Sequence, residues 1–475
     1  MFDEIKKFED NLELLDFRFK YKDTLIWPYI RYTINLHGEL HITNNYPIGK
    51  NDNSRKTPYL KILKSTWAWI IKNPYVAKQY PVLIFSSDVY NVVKKEGKFF
   101  NRLHDYYALL KPEDTLLIEK SKDYNHTKPR YNKNLRYRDI IDLEVIIKRK
   151  VSRVNNSDIL TIDSFTQYLK SKYPIKFSQE FYDKLNSILI SYSQSLKPLD
   201  HCYNRIFEKI KPKIIFFDDA SYGGMYASVM RCANERHIIT AEFQHGYIVS
   251  TAWAYFHSKK LCKNKEYSSY YPKLLLTFGD YWNNNIQIPG EKIVIGNPHV
   301  FEKISGASKD KKVNNSILFI SGGLFPENID LMGNITKRFM KIIKNRKEEY
   351  KIVYKLHPKE SKIYNKYLEY FAGFNNIQVV KDRDIHELMA QCEVIVGECS
   401  TALFEALLYT ENIFVYESIR SRLAIPKELG TWFKDESELY NLLVTGTCNN
   451  QIKDYKTFWE PNWKQNYLNL LKKYI

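Results

Sequence analysis

The sequence predicts an α/β protein built from two doubly wound, mainly parallel-sheet domains. Three observations predict it. Apolar runs of strand length recur from about residue 80 onward, separated by stretches with helical spacing. The pattern lapses once, at 299–316, in a polar segment poor in periodicity, and then restarts. The chain of 475 residues is too long for one ordinary core.

Residues 1–78 read as a helical, aromatic segment whose most apolar part is DTLIWPYIRYTINL. The first domain, 79–298, opens with strands at YPVLIFSS (80–87), DTLLIEK (114–120) and SDILTIDSF (157–165). A long amphipathic helix is predicted over roughly 176–210. Strand KPKIIFFDD (211–219), helix YGGMYASVMRCANER and strand IITAEFQHG (238–246) follow. KLLLTFGDYW (273–282) and KIVIGNP (292–298) supply two more strands. Segment 299–316 reads as the interdomain linker. The second domain, 317–455, repeats the alternation. Its strands are ILFISGG, YKIVYKLHP, IQVV, EVIVG and NIFVYE, and its helices lie between them. The tail, 456–475, reads as a last helix. Tandem doubly wound domains make a cleft, and ligands of such sheets sit beyond the carboxyl ends of strands.

The formal net charge of +18 favours anionic partners: nucleotides, anionic glycans or an acidic membrane surface. The basic residues are dispersed, with no compact Lys/Arg block, so no nucleic-acid partner is expected. The six cysteines, at 202, 232, 262, 392, 399 and 448, form no CxxC pair. This argues against a disulfide or zinc framework and for a reducing, cytoplasmic setting. The N-terminus lacks the apolar core of a signal peptide, and no apolar run reaches 18 residues. Membrane contact is therefore expected to be peripheral, at the inner face of the cytoplasmic membrane.

Chemistry concentrates just after strands. In VIVGECSTALFEALLY (394–409), Gly397 turns the chain and Ser400 and Thr401 open a helix. Two hydroxyls and free N–H groups at a helix start suit a phosphate; the plainer role of Ser400 is an N-cap. Glu405 lies four residues after Thr401, on the same face, within reach of a ribose. In YKIVYKLHPKE, Pro358 forces an extended exit at His357. In FISGG, Gly322 and Gly323 permit close backbone approach to a ligand.

Together these motifs resemble the GT-B glycosyltransferases, and within them the bacterial surface-polysaccharide group. That group includes sialyltransferases, Kdo transferases of capsule assembly and CDP-glycerol glycerophosphotransferases. The likeness covers about 317–417, and more weakly reaches back to 211. It implies two Rossmann-like domains facing a cleft, here with an extra N-terminal helical segment. It also implies that His357, Ser400 and Thr401 hold the donor phosphate, with Gly322, Gly323, Pro358, Glu398 and Glu405 around the donor. The donor would be a CMP- or CDP-linked sugar serving as substrate, with no cofactor and no metal. The acceptor would be a growing glycan or a lipid-linked glycan.

The base is expected in the first domain. IIFFDDASYGG sets Asp218 and Asp219 at a strand end, where neighbouring carboxylates raise each other's pKa. The sialyltransferase-like acidic motif has a glycine where this chain has Ala220. EFQHG offers His245, in an HG context similar to that of the glycerophosphotransferases. Asp219 and His245 stand level as candidates. Asp280 and Asn297 are further candidates for lining the cleft. The alternatives are a sugar-nucleotide 2-epimerase, which shares the fold, and a non-catalytic polysaccharide-binding protein. The long helical N-terminal extension and the missing epimerase-like acidic cluster count against the epimerase.

Overall fold

The computed structural model describes residues 2–42, 70–87, 92–121, 124–249, 252–284, 286–306, 312–323 and 328–475. The chain forms two compact units. The first comprises 1–245, 251–298 and 462–475; the second comprises 246–250 and 299–461.

The first unit is built on a seven-stranded sheet. Its strands are β1 (Val82–Ser87), β2 (Thr115–Lys120), β3 (Leu135–Tyr137), β4 (Ile214–Phe217), β5 (Ile239–Phe243), β6 (Leu274–Thr277) and β7 (Glu291–Val294). Their order is β7-β6-β5-β4-β1-β2-β3, and every pairing is parallel. The central strands are buried along most of their length, which is why they read as unbroken apolar runs.

Three helices of this unit matter below: α1 (Asp139–Val151), α2 (Asn156–Lys172) and α3 (Gln179–Ile210). The last bears out the long amphipathic helix expected over roughly 176–210. Helix α2 corrects the expectation of a strand at 157–165. Its buried residues Asp158, Ile162, Phe165 and Leu169 recur every third or fourth position, not every second. Asn155 starts it by accepting the amide of Ser157 at 3.0 Å. The third strand is instead β3, three residues in a polar stretch with no run to announce them.

The N-terminal segment belongs to this unit. Its helix Trp27–Ile42 and the preceding chain bury Phe8, Trp27 and Ile34 against α2 and α3. Arg31 is fully buried there and paired with Glu9 at 2.6 Å; a buried charge needs such a partner. Residues 43–69 of the expected 1–78 segment lie outside the described residues. The final helix, Trp463–Tyr474, also belongs to the first unit, where Tyr467 packs 4.9 Å from Tyr107 and 5.7 Å from Phe216.

The second unit carries a six-stranded sheet of β8 (Val313–Ile320), β9 (Lys351–Lys355), β10 (Ile377–Val380), β11 (Cys392–Gly397), β12 (Ile413–Tyr416) and β13 (Thr431–Phe433). The order is β10-β9-β8-β11-β12-β13, again all parallel. The segment read as a linker, 299–316, is largely regular. It holds most of helix Pro298–Gly306 and the first residues of β8, with 307–311 outside the described residues. Val300 is buried and anchors that helix, while Phe301 and Ile304 are only partly buried. Strand β13 and the helix Glu436–Val444 complete the unit beyond the last expected strand.

Counted within its own unit, the second sheet runs 3-2-1-4-5-6, the order of a doubly wound dinucleotide fold, and the first runs the same with a seventh strand added at the end. The winding direction reverses between β1 and β4 in the first unit and between β8 and β11 in the second. Loops diverge at such switch points and leave a crevice beyond the carboxyl ends of the strands. Asp218 and Asp219 follow β4; Gly322, Gly323 and Glu398 follow β8 and β11.

Candidate active site

At the first switch point, four acidic and imidazole groups converge on Asp218. His104, buried before a short helix, places Nε2 3.5 Å from the Asp218 carboxylate. Burial by itself would raise the Asp218 pKa. The hydrogen bond and charge of His104, a hydrogen bond from Asp219 and the charge of His245 outweigh burial and hold it below the usual carboxylate value. Asp219 moves the other way. Burial first, then the neighbouring Asp218 and Glu242, push it up to about 8. At neutral pH Asp219 carries the pair's proton.

Glu242 is fully buried on β5. Its carboxylate accepts the Ser221 amide at 2.6 Å and the Tyr255 hydroxyl at 2.7 Å. Burial still pushes it up to about 7 against the pull of those donors. Tyr255 in turn lies 3.4 Å from His245 Nδ1, and Tyr222 lies 3.3 Å from His245 Nε2. The Tyr255 proton goes to Glu242, so the Tyr255 oxygen accepts from Nδ1–H. In that tautomer Nε2 accepts from the Tyr222 hydroxyl, and the ring also meets the Asp218 backbone carbonyl. Burial, aided by His104, holds His245 below the ordinary imidazole value despite Asp218. His245 is thus neutral at pH 7, with an orienting chain behind it. A nucleophile-activating base has this form: a ring nitrogen able to take a proton and a third group that sets the ring.

At the second switch point, the glycines meet a protein group. Gly323 has φ +65°, and a Cβ there would stand 2.3 Å from His357 Cγ. The close approach that Gly323 permits is that of the His357 ring. His357 Nδ1 accepts the Lys359 amide at 3.2 Å, so a neutral ring presents Nε2–H as a donor. Burial, Lys359 and Lys355 lower its pKa. The Gly322 amide is already engaged, donating to Asp330 Oδ2 at 2.7 Å.

Asp330 and Glu360 are the framework of this loop. Asp330 accepts from Ser321 Oγ at 2.9 Å, from the Gly333 amide at 2.7 Å and from Tyr354 at 2.5 Å. Ser321 Oγ also meets a Glu360 carboxyl oxygen, and the other Glu360 oxygen accepts from Tyr367 at 2.8 Å. Glu360 accepts the His357 amide as well, at 3.1 Å, which ties the network to the imidazole. Replacing Asp330 by Ala orphans these buried donors. An unfolding free energy lower by about 3 kcal/mol is expected in urea titration; a change below about 0.5 kcal/mol would mean that the network is not formed.

Ser400 caps the helix Thr401–Ala406 by accepting the Ala402 amide at 3.2 Å. That helix has six residues, so donor capacity here rests on the two half-buried hydroxyls more than on a helix dipole. Glu398 is buried and accepts from Ser418 Oγ at 2.7 Å and Arg420 Nη1 at 3.3 Å. Glu405 lies 3.4 Å from His386 Nε2. Pro358 begins the turn after His357 and is exposed, as is Asp280.

Sequence reading missed His104, Glu242, Tyr255, Asp330 and Glu360. Glu242 had a signal, a carboxylate inside an apolar strand run. Asp330 had one too, as the cap of helix Leu331–Arg346. The others come from loops with no distinguishing pattern. Asp218, Asp219 and Glu242 converge through the fold of β4 and β5. Among the described residues, no cluster of three or more His, Cys, Asp or Glu side chains is arranged as a metal site, and no helix is long and apolar enough to cross a membrane. A cavity of about 180 Å³ in the second unit is lined by Asn315, Glu393 and Asn412, at the starts of strands, and by none of the candidate site residues.

No protein-family model and no curated protein sequence matches this chain. Among solved structures it is similar to UDP-GlcNAc 2-epimerase from Neisseria meningitidis bound to UDP-GlcNAc. The identity is 11% and the TM-score 0.45, covering 82% of this chain and 98% of that one. It is similar to S. aureus MnaA in its UDP co-structure, at 11% identity and TM-score 0.47, covering 84% and 97%. It is similar to Acinetobacter baumannii MurG, at 10% identity and TM-score 0.43, covering 82% and 99%.

Proposed function

We propose that this GT-B-type chain is a glycosyltransferase. It moves a sugar from a CMP- or CDP-linked donor to a growing surface polysaccharide or lipid-linked glycan, with inversion and without a metal, in the cytoplasm. The reading rests on one observation. An oriented base, His245, stands at the switch point of one unit, and the donors His357, Ser400 and Thr401 stand at that of the other. His245 Nε2 takes the proton of the acceptor hydroxyl. The new C–O bond forms at the sugar carbon as its bond to the phosphate oxygen breaks. His357 Nε2–H and the hydroxyls of Ser400 and Thr401 stabilise the departing phosphate. Asp219, protonated at neutral pH, serves the acceptor side as a hydrogen-bond donor.

A second reading, a sugar-nucleotide epimerase, is favoured by the convergence of Asp218, Asp219 and Glu242. Carboxylates sharing protons suit reversible proton transfer at a sugar carbon.

Thermal unfolding with CMP, CDP, UMP, UDP, GDP and ADP tests both. A nucleotide at a hundred times its Kd adds about 2.7 kcal/mol to the folded state. Selective stabilisation by CMP or CDP is expected. Stabilisation by UDP alone, with isomerised sugar nucleotide and no released nucleotide in an assay, would establish the epimerase instead. No response to any nucleotide would remove the phosphate site and leave a polysaccharide-binding role.

A further inference from the structure

The turn joining α1 to α2 exposes apolar side chains that no core explains. Ile147 and Val151, one helical turn apart at the end of α1, are 55% and 80% exposed. Ile159 and Leu160, in the first turns of α2, are 38% and 68% exposed. The two helix ends lie side by side over one stretch of α3. Arg149 donates to Ser191, Gln194 donates to the Ser152 carbonyl, and Ser193 donates to Asp158. The four apolar residues therefore belong to one patch.

Cations outnumber acids around the patch, although Lys148 is paired with Glu144 at 2.6 Å and exposed Asp163 lies one turn beyond Ile159 and Leu160. Lys148, Arg149, Lys150 and Arg153 lie within it or beside it, and Lys150 and Arg153 are exposed. The one acid between Ile147 and Leu160 is Asp158, which is buried and bonded to Ser193 and the Lys20 amide. Exposed aliphatic side chains rimmed by cations match an anionic bilayer. The chains enter the acyl boundary, and the cations meet lipid phosphates. A protein partner of ordinary composition gives no reason for the excess of cations.

We propose that residues 147–160 dock this protein on an anionic membrane surface. The patch is independent of the proposed transferase activity. It sits at the far end of α1 from Asp139, about 18 Å along the axis, and Asp139 binds His126 and Ser121 beyond the carboxyl end of β2. The carboxyl ends of the strands stay uncovered when the patch is docked.

Co-sedimentation of the full chain with phosphatidylcholine vesicles, with and without phosphatidylglycerol, tests the proposal. Binding only to the vesicles containing phosphatidylglycerol is expected, weakening as salt rises. Lys150→Glu with Arg153→Glu is expected to weaken it at least roughly thirtyfold, at about tenfold per 1.4 kcal/mol and about 1 kcal/mol per basic residue. Val151→Asp with Leu160→Asp is expected to weaken it comparably. Lys341→Glu with Lys351→Glu, exposed lysines of the other unit, is the control and leaves binding within about twofold of wild type. All variants are checked for unchanged thermal unfolding. Absent wild-type binding overturns the proposal. So does equal loss in the control pair, which would mean general attraction to the +18 charge. Loss of a dimer in sedimentation velocity on Val151→Asp with Leu160→Asp also overturns it, since a second copy would then cover the patch.

Discussion

His245→Ala is expected to lower kcat by about 10²- to 10⁴-fold, the usual contribution of a positioned base, while stabilisation by bound nucleotide persists. The pH profile separates His245 from its rival. His245 titrates below the ordinary imidazole value, with burial as the main cause. Activity should therefore rise along an acid limb below pH 6.5 and stay level through neutrality. If Asp219 were the base, the limb would lie near its own value of about 8. Tyr255→Phe breaks the chain from Glu242 to the imidazole and should lower kcat less than His245→Ala does. Asp219→Asn keeps a neutral donor and should retain most activity.

The same aspartate makes a stability prediction with a definite sign. A carboxyl whose pKa is raised by folding holds a proton that the unfolded chain has released. Stability contributed by that proton is complete below the unfolded value of about 3.9 and is lost as pH rises toward about 8. Asp219→Asn removes this loss. Its Tm should exceed that of wild type at pH 7 and vary less between pH 4 and 8. A Tm below wild type at pH 7, together with activity lost as fully as in His245→Ala, would return the base to Asp219.

Gly323→Ala is the second large effect. The left-handed backbone alone disfavours a side chain by about 1–2 kcal/mol, and the new Cβ would stand 2.3 Å from His357 Cγ. The imidazole must move, so nucleotide affinity should fall about as far as in His357→Ala, with an added loss of stability. Removing the ring removes the obstacle. The double variant should therefore bind nucleotide no worse than His357→Ala and be more stable than Gly323→Ala plus His357→Ala would predict. Isothermal titration and urea unfolding of the four proteins measure this. Additive losses would mean that Gly323 and His357 act separately.

The sequence by itself determined the α/β class, the two doubly wound units, and the candidates that follow strands: Asp218, Asp219, His245, Gly323, His357, Ser400 and Thr401. Buried parallel strands write themselves as apolar runs, and the first polar residues after such a run fall at the carboxyl edge where ligands bind. What lies off that pattern waited for the tertiary structure. Segment 157–165 has strand-like apolar content, and its helical burial depends on the partners it packs against, Phe17 and Trp27. The choice of His245 over Asp219 came from His104, Glu242 and Tyr255. Residues up to about 150 positions apart meet there only because β1, β4 and β5 lie side by side. A pKa is set by burial and near neighbours, and neither is written in the order of the residues.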